Sequence, residues 1–454
     1  MKNSILIKTF ILGIALMPSL VIAQNPIIQT NYTADPAPME HNGTVYLYTT
    51  HDEDVTVRNF FSMNDWKCYS TTDMVNWTDH GTILSYKDFS WARGDAWAGQ
   101  CVFRNGKYYL YVPMNQKNGG NAIGVAVSES PTGPFHDAIG APLLVGYGYI
   151  DPTVFIDDDG QAYLYWGNPN LWYVKLNEDM ISYTGQISTV DFKPENFGVR
   201  PGDSKRSAQY EEGPWFYKRN HQYYMVYPAG GVPEHLAYST SPGPTGPWTY
   251  RDTIMPIISK GGAFTNHPGV VDLKGHSYLF YHNGDLPGGG GFKRSVCAME
   301  FSYNADGTIP RIRHSVEGIT KSVCELNPMI RQEAETIAFE SGVETAKSDK
   351  LGIYVTDIDK GDYIKVRSVH FDKKVKTFRA NVASASKNGE MEIHVDSPSG
   401  PLLGILKVKS TGSLQKWAIQ SCKITDVEGT HDLYFVFNGG EGDLLNFDWW
   451  IFKN

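Results

Sequence analysis

The sequence predicts an all-β protein: a five-bladed β-propeller followed by a β-sandwich (jelly-roll) module. Three observations carry that expectation. A tight turn followed by an aromatic-rich strand recurs five times before residue 285, the repeat stops near residues 315–332, and residues 331–454 return to short strands and turns without it. Four-stranded units repeated around an axis are the sequence signature of a propeller, and a separate run of short strands is that of a small sandwich.

The repeat begins with Asn42-Gly43 before Val45-Tyr46-Leu47-Tyr48, and continues with Asn105-Gly106 before Tyr108-Tyr109-Leu110-Tyr111 and Asp159-Gly160 before Tyr163-Leu164-Tyr165-Trp166. Asn220-His221 and Lys274-Gly275 introduce the fourth and fifth copies. Asn-Gly and Asp-Gly suit two-residue hairpin turns, because both central residues need positive φ. A second signal closes several units: Ser70 to Trp77 in the first, Ser130 to Phe135 in the second and Pro244 to Trp248 in the fourth. No amphipathic helical stretch of useful length stands out. The strands Tyr363-Ile364-Lys365-Val366 and Leu433-Tyr434-Phe435-Val436-Phe437 are the clearest of the C-terminal part.

Composition narrows the function. A chain of 454 residues accommodates two domains. A net charge of −9 argues against nucleic acid, whose phosphates demand a basic face. With 27 Tyr, 21 Phe and 11 Trp the chain is rich in rings, which favour strands and whose faces can stack on sugars. Residues 1–23 read as a signal peptide: Lys2 and Lys8, the apolar run Phe10–Leu16, then Val21-Ile22-Ala23. No other segment is apolar enough to cross a membrane. The expectation is a secreted or periplasmic protein, monomeric, with a propeller at 24–325 and a module at 331–454. The five cysteines lack metal-ligand spacing and are read as small buried side chains, with at most one disulfide.

Chemistry enters at matched places in the repeat. Eight or nine residues before the second turn residue stand Asp35-Pro36, Trp97-Ala98, Asp151-Pro152, Glu212-Gly213-Pro214 and His267-Pro268. Equivalent positions on innermost propeller strands converge on the central axis. Each Asp-Pro alone could merely open a turn, but three carboxylates gathered at one point repel and perturb one another, an arrangement that scaffolds avoid and active sites use. Glycoside hydrolysis with inversion needs one protonated carboxyl and one ionised carboxylate, ~6.5–9.5 Å apart with a water between them. A third carboxylate can keep the acid protonated by its charge.

On these motifs, with Tyr149 to Phe155, Tyr210-Glu211-Glu212-Gly213-Pro214 and Asn266-His267-Pro268, residues 26–310 resemble glycoside hydrolase family 43. The resemblance implies Asp35 as general base, Asp151 as pKa modulator and Glu212 as general acid, with Glu211 the competitor for the last role. It also implies substrate contacts from Trp97, His267 and Arg294, and a possible cation near His267. The run Gly288–Gly291 before Arg294 is not a phosphate loop, because no Gly-Lys-Ser/Thr follows. His51-Asp52-Glu53-Asp54, Gly94 to Gly99 and Asn266 to Gly269 are most similar to the arabinoxylan arabinofuranohydrolases of that family. The expected activity is removal of arabinose from hemicellulose, with no organic cofactor. β-Xylosidase, arabinanase and endo-xylanase remain alternatives, as does a sugar-binding propeller without catalysis.

Residues 331–454 resemble a family 6 carbohydrate-binding module through Gln332 to Glu335, Gly361 to Ile364, Gly429 to Tyr434 and Asn446 to Trp450. The resemblance implies a structural calcium held by Glu333, Glu335 and Asp448. Where such modules stack a sugar between two rings, this chain has Asp357, or Tyr354 if the loop shifts, and Leu414. Weak or absent xylan binding at that cleft is therefore expected.

Overall fold

The computed structural model describes residues 24–454 apart from Arg58, Ser204, Ser259 and Lys260; the predicted signal segment lies outside them. The fold is all-β. Among the described residues, five antiparallel sheets succeed one another along Thr33–Phe301. The first contains Thr33–His41, Thr44–Asp52, Met63–Thr71 and Trp77–Ser85 in that order. The third runs from Thr153–Ile156 to Tyr183–Thr189 and the fourth from Trp215–Arg219 to Thr249–Met255, each with four strands in sequence order. Each recurring turn joins two neighbouring strands of its sheet, as Asn42 (φ 53°) and Gly43 (φ 79°) do in the first. The positive φ explains why Asn-Gly recurs there.

In the first three units a recurrent tyrosine fastens its sheet to the next. Its ring is buried and its hydroxyl reaches a backbone carbonyl of the following sheet or the turns beside it. Tyr48 donates to the Pro131 carbonyl at 2.7 Å, Tyr111 to that of Met180 at 2.5 Å and Tyr165 to that of Pro244 at 2.6 Å. An apolar ring with a polar tip can seal an intersheet seam without leaving a buried hydroxyl unpaired. The Pro131 and Pro244 acceptors belong to the unit-closing motifs found in the sequence.

Two further sheets form the C-terminal part. One is built on Gly352–Ile358, Leu445–Lys453, Thr377–Ser384 and Ser413–Lys423, the other on Tyr363–Phe371, Gly429–Asn438, Gly389–Val395 and Leu402–Val408. Phe378, Phe435, Phe447, Trp450 and Phe452 pack in its core. The module is joined to the first sheet: Thr336–Ile337 pairs antiparallel with Trp77–Thr78 along the outer edge. Beside it, Asn76 Nδ2 donates to the Arg367 carbonyl at 3.0 Å and accepts the Arg367 amide on Oδ1 at 2.8 Å. An exposed edge strand is thus covered within the chain. All five cysteines are free thiols, three of them buried. No described helix is long and apolar enough to span a bilayer.

Candidate active site

The five matched positions do meet. Asp35, Trp97, Asp151, Glu212 and His267 line one cavity of about 190 Å³ together with Arg294. The local backbone explains how the acids are aimed. Asp35 and Asp151 both hold left-handed φ, 52° and 54°, immediately before proline. In the Glu212 motif the extra residue, Gly213, takes that conformation (φ 54°). A side chain there would be strained and would also collide with His267, whose Nδ1 lies 2.8 Å from where a Cβ would stand.

Asp35 is buried at 6% exposure and densely held. It accepts from Arg294 Nη1 at 3.0 Å and from Thr50 Oγ1 at 2.9 Å, and His267 Nδ1 is 3.8 Å away. Burial would raise its pKa, but the Arg294 guanidinium, then His267, His282 and the Thr50 hydroxyl, outweigh burial and hold it at about 2. Asp35 is therefore ionised throughout the working range.

Glu212 is the opposite case. It is half-buried, and Asn168 Nδ2 donates to its Oε2 at 2.5 Å. Burial pushes it up to about 7, with the Asp35 and Glu211 charges acting in the same sense and Asn168 and Arg294 against it. Asp151 is raised well above the ordinary range by burial, then by the charges of Glu212 and Asp35, although the Gly213 amide donates to it at 3.1 Å. The pair Asp151–Glu212 thus retains a proton near neutrality while Asp35 does not. Divergent protonation among neighbouring carboxyls is the mark of an acid–base pair. Glu211 is held differently: its carboxylate is paired with Arg200 and, at 2.8 Å, with Arg206.

Arg294 is the electrostatic keystone. It is 3% exposed and forms a two-pronged pair with Asp52, Nε to Oδ2 and Nη2 to Oδ1, each at 2.9 Å. Its planar head lies over the Phe61 ring, 4.6 Å from the centroid. Asp52, Thr50, Phe61, Asn168 and His282 are neighbours of these groups that the sequence reading did not assign to the site. Signals existed for three: Thr50 and His282 each stand seven residues after the second turn residue of their unit, and Asp52 is two residues from Thr50 on one strand.

Residues 23–309 match the glycosyl hydrolases family 43. The chain belongs to that family. Family 43 membership makes the first part a β-propeller glycosidase, and residues 333–454 match the carbohydrate binding module (family 6), a β-sandwich. An arabinoxylan arabinofuranohydrolase of Bacillus subtilis (strain 168) is 35% identical over 486 residues, covering 94% of this chain and 92% of the relative. A xylosidase/arabinosidase of Bacteroides ovatus is 32% identical and covers 62% of this chain and 95% of its own length. Among solved structures, a Bacillus subtilis arabinoxylan arabinofuranohydrolase in complex with cellotetraose aligns with a TM-score of 0.82 at 33% identity, over 95% of this chain and 98% of that one. A β-xylosidase/α-arabinofuranosidase from a compost microbial metagenome, in complex with xylotriose, aligns with a TM-score of 0.57 at 32% identity, over 63% and 96%.

In the family 6 module the three predicted metal ligands are placed unequally. Glu333 is turned to Arg331, whose Nη2 is 2.7 Å away. Glu335 and Asp448 are buried, and each keeps one oxygen, Oε2 and Oδ1 respectively, without a hydrogen-bond partner. Burial, then the Glu333, Asp79 and Asp448 charges, raises Glu335 well above its ordinary value. Among the described residues no group of three or more His, Cys, Asp or Glu is arranged to hold a metal ion, around His267 or here. Tyr354 lies edge-on to Trp417 with centroids 5.2 Å apart. Asn446 is spent internally, donating to the Leu414 carbonyl at 2.9 Å and accepting from Thr356 at 2.9 Å.

Proposed function

We propose that this chain is an inverting exo-acting glycosidase that releases α-L-arabinofuranose side groups from arabinoxylan. The observation that carries the reading is the split in protonation within one pocket: Asp35 ionised, and a proton kept by the Asp151–Glu212 pair. Asp35 takes a proton from water, whose oxygen attacks the anomeric carbon from one face. Glu212 gives its proton to the departing glycosidic oxygen on the other. The C–O bond to the leaving sugar breaks as the bond to water forms, and solvent restores both carboxyls. Asp151 accepts the amide of Gly213, the residue after Glu212, at 3.1 Å and so orients the acid. Arg294, His267 and Trp97 form the walls that orient the sugar. The names of the relatives support arabinoxylan, and a pocket suited to about one ring supports a side group or chain end over an internal linkage. The five sheets are read as five blades around this pocket and the module as a jelly roll, in an exported protein whose signal peptide is residues 1–23.

Chromatography of the products from arabinoxylan, xylan and linear arabinan tests the substrate. Arabinose alone, from arabinoxylan, is expected; xylose or oligosaccharides as main products would replace the reading with β-xylosidase or an endo-enzyme. Glu212→Ala is expected to lose about 10²–10⁴-fold in kcat on arabinoxylan. Its loss is smaller on 4-nitrophenyl α-L-arabinofuranoside, whose leaving group needs little protonation. Because Glu212 must be protonated and is held at about 7, wild-type kcat falls as pH rises through neutrality. The variant should lack that limb, and a retained limb would assign it to another group.

Two proposals concern the module. Its cleft, without a two-sided ring clamp, is expected to give no measurable heat with xylo-oligosaccharides in titration calorimetry of the full chain inactivated by Glu212→Ala. Binding that is abolished by Trp417→Ala would contradict this. A hard cation such as calcium suits the free oxygens of Glu335 and Asp448. Calcium should then raise, and a chelator lower, the melting temperature, and Glu335→Gln should remove that response.

A further inference from the structure

The repeat contains an inequality that the mechanism above leaves unused. Seven residues after the second turn residue, the five units carry Thr50, Pro113, Gly167, Pro228 and His282. Only the first and fifth have a hydrogen-bonding side chain there, and both reach Asp35. Thr50 Oγ1 donates to the carboxylate at 2.9 Å, whereas His282 Nδ1 faces the Asp35 backbone amide at 3.3 Å.

That amide has no place in the sheet. Pairing between Thr33–His41 and Thr44–Asp52 jumps from Ala34 to Ala37, leaving Asp35 and Pro36 outside the ladder. Pro36 has no N–H, and Asp35 sits at left-handed φ, a conformation that a non-glycine residue keeps only when its surroundings enforce it. His282 is fixed for the task. It is 1% exposed, and its Nε2 lies 2.9 Å from the Thr265 carbonyl, which can only accept. The proton is therefore on Nε2, and in the neutral ring Nδ1 is an acceptor aimed at Asp35. The backbone that carries the ring is held as well: Asn266 Oδ1 accepts the His282 amide at 3.4 Å and the His267 amide at 2.9 Å, and the Asn266 amide donates to buried Glu234 at 2.7 Å. Arg294 and His267 are the other charged or titratable groups shaping its surroundings, and burial followed by the Arg294 charge lowers its pKa to about 3.

We propose that His282 is a positioning residue for Asp35: a neutral imidazole that accepts the Asp35 backbone proton across the junction of the fifth and first sheets and so fixes the direction of the carboxylate that activates water. It does not touch substrate. The proposal rests on the assignment of Asp35 as base.

Two isosteric variants separate this role from ordinary packing. In His282→Asn the amide oxygen occupies the place of Nδ1 and can still accept from Asp35. In His282→Gln the amide nitrogen occupies the place of Nε2, so the Thr265 bond survives and the Asp35 bond does not. On 4-nitrophenyl α-L-arabinofuranoside, His282→Gln is expected to lose about a hundredfold in kcat with KM little changed, the scale associated with a misplacement near 1 Å. His282→Asn should recover about tenfold of that loss, even if both variants melt at the same lowered temperature. Equal kcat in the two variants, or a loss explained wholly by unfolded protein, would overturn the role. A second readout does not depend on activity. In ¹⁵N-labelled protein, His282 is expected to show the neutral Nε2–H form from pH 5 to 8; an imidazolium or an Nδ1–H form there overturns the proposal even if Asp35 proves to be the base. Should the tautomer and the Gln–Asn difference hold while Asp35→Asn stays active, the assignment of the base fails instead.

Discussion

Asp35→Asn is expected to lower kcat by about 10³–10⁴-fold on both arabinoxylan and 4-nitrophenyl α-L-arabinofuranoside, with KM changed by little. The amide has the shape of the carboxylate: its oxygen can still accept from Arg294 Nη1, and its NH2 can donate to the Thr50 hydroxyl, which turns to accept, so the pocket keeps its form. What is lost is the capacity to take a proton from water, which is needed whatever the leaving group. The contrast with Glu212→Ala is the informative part: loss of the acid is partly masked by a good leaving group, and loss of the base is not. The wild type should also show no acid limb attributable to Asp35 above about pH 3, since Arg294 holds that carboxyl at about 2. Stopped assays on both substrates, with product anomers followed by NMR, measure all of this. An Asn variant retaining more than a tenth of wild-type kcat would remove Asp35 from water activation, and a first product of retained configuration would remove the single-displacement scheme altogether.

The sequence showed the acids because propeller geometry converts a linear repeat into a circle: equal offsets from a turn become equal radii. Asp35, Asp151, Glu212, Trp97 and His267 share that offset, and they share the pocket. Asp52 and Arg294 share no such offset. Asp52 belongs to Arg294 only because the first and fifth sheets meet, and sequence carries no register between sheets. Strand alternation gave a reason to prefer Glu212 over Glu211, whereas the ion pairs of Glu211 with Arg200 and Arg206 come from the irregular segment between the third and fourth sheets, where no period operates. In the module, alternation put Glu333 and Glu335 on one side, yet Arg331 draws Glu333 outward, a local competition that periodicity cannot weigh. The pairing of Thr336–Ile337 with Trp77–Thr78 was equally hidden, because two residues of strand have no pattern.

Arg294→Leu is expected to cost about 3–5 kcal/mol of stability, along with all measurable activity. Arg294 is the shared counter-charge of Asp52, which is fully buried, and of Asp35. Removing it leaves two carboxylates in a nearly water-free site with the Thr50 hydroxyl, backbone amides and neighbouring histidines as remaining support, a far larger penalty than the lost attraction alone. Arg294→Lys keeps the charge but not the planar fork that bonds both oxygens of Asp52, so an intermediate loss is expected. The pH dependence gives the deficit a signature. In the wild type the folded Asp35 value lies below its ordinary 3.8, so its contribution is full above about pH 4 and is lost as pH falls through about 2. Without Arg294 the balance at Asp35 shifts toward burial, which raises its pKa, and an ionised Asp35 then opposes folding at neutral pH. Protonation relieves that opposition, so the stability gap between wild type and Arg294→Leu should narrow as pH is lowered from 7 toward 4. Urea unfolding at several pH values measures the gap; one that stays constant or widens on acidification would show that Arg294 contributes through packing against Phe61 rather than through charge.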